Sequence, residues 1–308
     1  MSQSLRAHVL LLAVVIVWGS TFVLVKGALT DVSPLLFNLL RMTIAFVALA
    51  IFYRSHWRRM TRRAVISGAV VGACLAMGYQ FQTAGLRMTT PSKSAFLTGL
   101  VVVLVPLLSA VPGLRPHGAH PPRWNAYLGA LLAFGGIVLL TTPAGATFDF
   151  RAMNRGDLLT LGCALGFALH VIALAHTSPR MDYEQLALLQ IGFCTVYMAV
   201  SLHIFEHPYI HWTGRLLIAL GIAALLATAA AFTIQSWAQQ FLPATHTALI
   251  LALEPVFAWL TSFAVMGERL NLRSSAGAVF ILGGIALTEI LPARIQPTAH
   301  EGVSLSEK

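Results

Sequence analysis

Leu128-Gly129-Ala130 followed by Phe134-Gly135-Gly136-Ile137 returns later in the chain as Ala276-Gly277-Ala278 followed by Leu282-Gly283-Gly284-Ile285. The offset between the two stretches is 148 residues throughout. Pro106 and Pro255 form a second match at an offset of 149, each about halfway along an apolar run. Two matches at nearly one offset divide the chain into two halves built to one plan.

The material of each half follows from composition. Of 308 residues, 57% are hydrophobic and only 10% are charged, and the mean hydropathy is +0.77. Soluble domains carry about 25% charged residues, so this chain cannot cover a water-facing surface. Disordered chains are short of apolar groups, which excludes disorder as well. The sequence is that of an integral membrane protein. Its net charge of +9 does not point to nucleic acid, because the basic residues cluster only at Arg54, Arg58, Arg59, Arg62 and Arg63. Such a cluster beside an apolar run marks a cytoplasmic loop on an anionic leaflet. Cys74, Cys163 and Cys194 lie inside apolar stretches, without metal-ligand or redox spacing, and read as small core residues.

About 20 apolar residues cross a bilayer as a helix, and stretches such as LLAVVIVW and LVVVLVPLL lack the alternation of barrel strands. The charges delimit ten spans: Arg6–Lys26, Pro34–Tyr53, Ala64–Leu86, Ser94–Leu114, Asn125–Ala144, Leu158–His176, Gln185–Phe205, 216–241, 244–266 and Ser274–Leu291. The first is too long for a signal-peptide core and is read as a retained helix. Pro243 divides the eighth from the ninth. The fold class expected is an all-α integral membrane protein of ten transmembrane helices in two five-helix repeats, 1–145 and 156–291, with a disordered cytoplasmic tail at 292–308. Because five is odd, the second repeat is inverted relative to the first, the plan of secondary transporters. Ten spans put both termini on one side. With that side cytoplasmic, inner segments carry eleven Lys/Arg and outer segments eight, which places the protein in the cell inner (cytoplasmic) membrane with both termini inside.

On these residues the chain resembles a known family. Trp18-Gly19-Ser20-Thr21-Phe22, Arg41, the run Thr90-Pro91-Ser92-Lys93-Ser94-Ala95-Phe96-Leu97-Thr98-Gly99-Leu100 and Val105-Pro106-Leu107-Leu108 are similar to the first half of an EamA-type carrier of the drug/metabolite transporter superfamily. Leu253-Glu254-Pro255-Val256, Gly267-Glu268-Arg269-Leu270 and the Gly-Gly pattern of the last span match its second half. The resemblance covers roughly residues 8–291. It implies a ten-helix inverted repeat exporting amino acids, metabolites or drugs through a cavity lined by both halves, with amino acids the first substrate class and broad multidrug export the alternative. One departure is visible. Members often repeat the Gly-Glu-Arg-Leu motif after span four, where this chain reads Val111-Pro112-Gly113-Leu114-Arg115-Pro116.

Ionisable and polar groups at membrane depth are costly and therefore candidates for the transport pathway. Glu254 precedes Pro255, which cannot donate to the carbonyl of Leu251 and opens the helix locally. Its carboxylate either binds a cationic group or exchanges a proton, or it caps loosened amides. Pro106 and Pro255 are candidate hinges. His170 and Trp18 sit deep in their spans, and Lys93 opens span four. Tyr79, Gln82 and Thr83 share one helix face, as do Gln235 and Gln239. The pathway set is thus Trp18, Tyr79, Gln82, Thr83, Lys93, His170, Gln235 and Glu254. Arg41 reads chiefly as a snorkelling or inter-helix structural group. Gly68-x-x-x-Gly72 and Gly162-x-x-x-Gly166 read as helix-packing contacts, with a dimer contact as the alternative.

A competing enzyme reading rests on His203-Ile204-Phe205-Glu206-His207, an H-x-x-E-H pattern whose histidines could hold zinc with Glu206 as general base. Pro208 follows at once and ends the helix there. Nucleotide-binding glycine loops and the Gly-x-Ser-x-Gly elbow are missing from the sequence. The expectation is a carrier without cofactor or resident metal, driven by a gradient with protons as the candidate coupling ion. Its partners are a small-molecule substrate and the lipid bilayer, with no nucleic acid, as monomer or homodimer.

Overall fold

A computed structural model describes residues 3–55, 60–116, 124–141, 153–242, 244–251 and 253–289. Among them ten helical spans follow in order. Spans 1 to 3 are Gln3–Ala28, Pro34–Phe52 and Arg62–Met88. Span 4 is two pieces, Pro91–Thr98 and Val101–Leu108, and span 5 is Trp124–Thr141. Spans 6 and 7 are Arg155–Thr177 and Tyr183–Phe205. Span 8 runs through Gly214–Gly221, Ile222–Ala230 and Ala231–Ala238, span 9 through Ala244–Leu251 and Glu254–Met266, and span 10 is Leu272–Glu289. Pro243 and the 292–308 tail lie outside the described residues.

Several spans begin earlier than the charges suggested, because capping side chains sit further out. Thr61, Thr90 and Thr213 each accept a hydrogen bond from the amide three residues on. Asn154 and Asp157 form a reciprocal capping box at the start of span 6. Span 9 ends at Gly267, whose φ of 67° is the left-handed conformation only glycine adopts without strain. Span 4, expected to reach Leu114, ends at Leu108. Its break at Gly99 and Leu100 lies within two turns before Pro106, where a missing amide and the proline ring disturb the preceding turn.

The repeated glycine pattern proves to be a self-crossing of the two halves. Spans 5 and 10 pack along one another. A Cβ on Gly136 would lie 2.6 Å from the Gly277 carbonyl oxygen, and one on Gly277 would lie 2.7 Å from that of Gly136. Gly284 approaches the Gly129 carbonyl as closely. Gly129 and Gly277 are equivalent at the 148 offset, as are Gly136 and Gly284, so the two contacts exchange with each other. Numbers rise along one helix as they fall along the other. Helices in the same place in each half therefore run antiparallel, and the repeats are inverted. The remaining pairings obey the same exchange: span 1 packs on 9 as 6 does on 4, and 3 packs on 6 as 8 does on 1.

Gly68 and Gly72 pack on Leu189 and Gln190 of span 7, while Gly166 meets Gly78 of span 3. Both small-residue motifs are consumed inside the chain. Large apolar side chains such as Ile51, Phe52, Leu131, Val265 and Val279 remain exposed on the outside of the bundle, where acyl chains replace water as solvent. The protein is a multi-pass membrane protein.

Candidate functional site

Both halves contribute to a central cavity. Span 1 supplies Trp18 and Thr21, span 2 Arg41, span 3 Tyr79, Gln82 and Thr83, span 6 His170, span 8 Phe232 and Gln235, and span 9 Glu254. The space in which the centre of a water-sized sphere can move is about 60 Å³. At 10–15 Å³ for each water, that is room for about five waters.

Seven of the eight expected pathway residues meet here. Lys93 does not. It lies in a separate vestibule with Lys26, Arg87 and Glu268, and its ammonium is bound to Asp157 at 2.7 Å. The geometry instead brings in Arg41, which sequence reasoning assigned mainly to structure. Arg41 is 3% exposed. Its Nε donates to Thr228 Oγ1 at 2.6 Å, and its Nη2 donates to the Tyr79 hydroxyl at 2.9 Å and the Ala227 carbonyl at 3.0 Å. Its guanidinium lies 4.3 Å from the centre of the Tyr79 ring.

Ala227 can accept in this way because Ile222–Ala230 is wound as a π-helix. The wider turn turns its carbonyl toward span 1, where Trp18 Nε1 also donates to it at 2.8 Å. Thr228 Oγ1 in turn donates to the Ala223 carbonyl five residues back. Such turns recur at functional sites. Elsewhere in the cavity, Thr83 donates to Asn38 Oδ1. His170 Nε2 meets Gln190 Oε1 at 2.8 Å, and the Gln190 amide donates to Ser236. That network fixes Gln190 Oε1 as acceptor and His170 as an Nε2–H donor. Glu254 opens the second piece of span 9, and Pro255 packs beside Gly99 at the break in span 4. The two helix breaks thus touch.

One end of the bundle is tied shut by groups from opposite halves. Lys93 and Thr89 of the first half meet Asp157 of the second. Glu206 accepts from the amides of Leu35 and Leu36 at 3.1 Å, capping span 2 where Ser33 makes no side-chain cap. Glu268 accepts from the amide and hydroxyl of Ser92 and from the Ser262 hydroxyl, capping span 4. Asp31, between spans 1 and 2, accepts from Thr213 Oγ1 at 2.7 Å and from Arg215 Nη2 at 2.9 Å. These bonds, Thr213 first, hold its carboxyl below the ordinary value of 3.8. Ser33, Val32 and Asp31 also pair through the backbone with Tyr209, Ile210 and His211.

Glu206 spends its carboxylate on the N-terminus of span 2. Among the described residues, His203, Glu206 and His207 do not come together as a metal-binding group.

Comparison with known proteins agrees with the fold. A profile described as the EamA-like transporter family matches residues 5–142 and again 154–290. An "Uncharacterized transporter" of Archaeoglobus fulgidus is 32% identical over 297 residues, covering 94% of this chain and 87% of the relative. "Uncharacterized transporter YvbV" of Bacillus subtilis is 26% identical over 306 residues, covering 97% and 96%. A solved crystal structure, described only as that of a protein, is similar with a TM-score of 0.66 at 21% identity, covering 93% of this chain and 97% of the other.

Proposed function

The chain belongs to the EamA-like transporter family, and from that premise we propose that it is a secondary carrier exporting small organic metabolites, amino acids first among them, across the cytoplasmic membrane by alternating access. The observation carrying this reading is the central cavity, which holds Glu254 between two broken helices and lies beneath an end closed by bonds between the halves. With the basic 54–63 loop and both termini inside, the closed end faces outward. Solute enters from the cytoplasm, the halves 1–145 and 156–291 tilt about Pro106 and Pro255, and the outer ties part to release it. Trp18, Tyr79, Gln82, Thr83, His170 and Gln235 contact the solute, and Lys93 acts at the outer mouth. Glu254, without a hydrogen bond among the described residues, takes the coupling proton. The glycine motifs are spent within the chain, which favours the monomer.

Counterflow in proteoliposomes tests this. Vesicles loaded with unlabelled amino acids should accumulate labelled amino acid saturably, and a pH gradient should drive accumulation. Glu254→Gln should lose the response to the gradient, with exchange weakened rather than abolished. Coupling that survives this substitution would remove Glu254 from the mechanism, and no exchange with any amino acid would remove the substrate class.

A further inference from the structure

We propose that Arg41 is the carboxylate-binding pole of the cavity and that, with Glu254 and Gln235 as the opposite pole, it selects solutes that carry a free α-carboxylate beside an ammonium group. This rests on the amino-acid reading above and names the residue that imposes it.

The argument is an account of which polar groups in the cavity are already satisfied. Trp18 Nε1 is spent on Ala227, Thr21 on the Trp18 carbonyl, Thr83 on Asn38, Thr98 on Cys163 and His170 on Gln190. Among the described residues, unused capacity remains at Nη1 of Arg41, the amides of Gln82 and Gln235, the carboxylate of Glu254, the Tyr79 hydroxyl proton and Nδ1 of His170, and of these only Arg41 and Glu254 are the charge-bearing groups. Gln235 is 1% exposed and its Oε1 has no partner. A buried acceptor left bare costs free energy until a donor reaches it.

The charges are arranged in the same sense. The Arg41 guanidinium is buried, yet its partners are two hydroxyls and one carbonyl, all neutral. The ion pairs among the described residues are Lys93–Asp157 and Arg215–Asp31, so Arg41 and Glu254 line one cavity without pairing. A buried charge without a counter-ion is costly, and a guanidinium sharing one cavity with a carboxyl group that it does not pair with suits a ligand carrying both an anionic and a cationic group. The fork geometry explains why the group is arginine: one edge, Nε with Nη2, is fastened to span 8 and Tyr79, which fixes the plane and leaves Nη1 to receive an oxygen.

The test uses wild-type protein in counterflow with labelled L-leucine, L-phenylalanine and L-threonine, against their carboxamides and decarboxylated amines as competitors. Loss of a charge-assisted bond is worth about ten- to a hundred-fold, so carboxamide and amine should compete that much more weakly than the acid. Arg41→Gln should narrow the gap to about threefold. Because Arg41 also fastens the π-helix, a second variant covers the case in which Arg41→Gln does not fold: Thr228→Val, which frees Nε alone, should raise half-saturation for the acid more than for the amide. Equal competition by acid and carboxamide in wild type, or an undiminished gap in a folded Arg41→Gln, would overturn the inference and leave the amino-acid carrier standing. If none of the three amino acids exchanges while another solute does, the amino-acid reading fails and this inference with it.

Discussion

Replacing Asp157 by Asn should unlatch the closed end. The carboxylate accepts from Lys93 at 2.7 Å, Thr89 Oγ1 at 3.2 Å and the Asn154 amide at 3.2 Å. The last bond lies within one half and is common to open and closed states, so it cancels. The other two join the halves and exist only when the end is shut. Lys93 is 19% exposed and Asp157 fully buried, so the ion pair is partly screened. With one ordinary hydrogen bond added, the cross-half loss is about 2 kcal/mol, a shift of about thirty-fold toward the open state. A cysteine introduced as Gln82→Cys reports on it, since Gln82 lines the cavity and makes no hydrogen bond among the described residues. Its labelling rate by a membrane-impermeant thiol reagent, applied outside intact cells, follows the open population when opening is faster than reaction. Asp157→Asn should raise that rate about ten- to thirty-fold. The swap of Lys93→Asp with Asp157→Lys should restore much of the protection. An unchanged rate in a variant that melts like the parent, or a swap no better protected than either single change, would refute the latch.

Three further outcomes follow from the packing and charges. Gly136→Ala places a Cβ 2.6 Å from the Gly277 oxygen and should lower thermal stability in detergent by about 1–3 kcal/mol; Gly135→Ala, with nothing within 4 Å, should be neutral or stabilising by up to about 1 kcal/mol. Because the Asp31 carboxyl is held below 3.8, its contribution to the strap is present above the unfolded carboxylate range and lost as pH falls through the folded value. The melting difference between wild type and Asp31→Asn should therefore close on acidification, and a difference independent of pH would contradict the assignment. Replacing Pro106 and Pro255 together by Ala should slow counterflow several-fold while leaving the labelled solute's affinity unchanged, and normal turnover would reject the hinges.

The inverted repeat was legible because a crossing that brings backbone against backbone admits only glycine, as at Gly136, Gly277 and Gly284, so the pattern recurs at one offset. The polar face of Tyr79, Gln82 and Thr83 was legible because helical spacing decides which side chains share a face. The role of Arg41 was not, since nothing local to span 2 tells whether a guanidinium meets a carboxylate or only hydroxyls across the bundle. The π-helix of Ile222-Ala223-Ala224-Leu225-Leu226-Ala227 leaves no mark in an alanine-rich run, so the acceptor shared by Trp18 and Arg41 had no signal. Lys93 was placed by its position at a helix start, and its partner 64 residues away depends on packing. The Asn154-x-x-Asp157 capping box was not read from the sequence, and its local pattern does not show that Asp157 also binds the other half.

Inversion makes a comparison of the two ends possible. Glu268 lies after span 9 and caps span 4 across the halves; its counterpart would be an acid between spans 4 and 5 capping span 9. Residues 109–123 contain no Asp or Glu. Glu206, after span 7, caps span 2; its counterpart would lie between spans 2 and 3 and cap span 7. Residues 53–62 contain no acid either, and with Arg63 the segment carries five arginines. Arginine at those places favours a cytoplasmic location but cannot cap a helix N-terminus, where only an acceptor serves. Of Glu206, Glu268 and Asp31, only Asp31 has an acid in the equivalent connection, Asp182 between spans 6 and 7. The end that carries these arginines therefore lacks two latches that the opposite end has. On the orientation proposed above, a carrier latched in this way rests with its outer end shut, the state from which export begins.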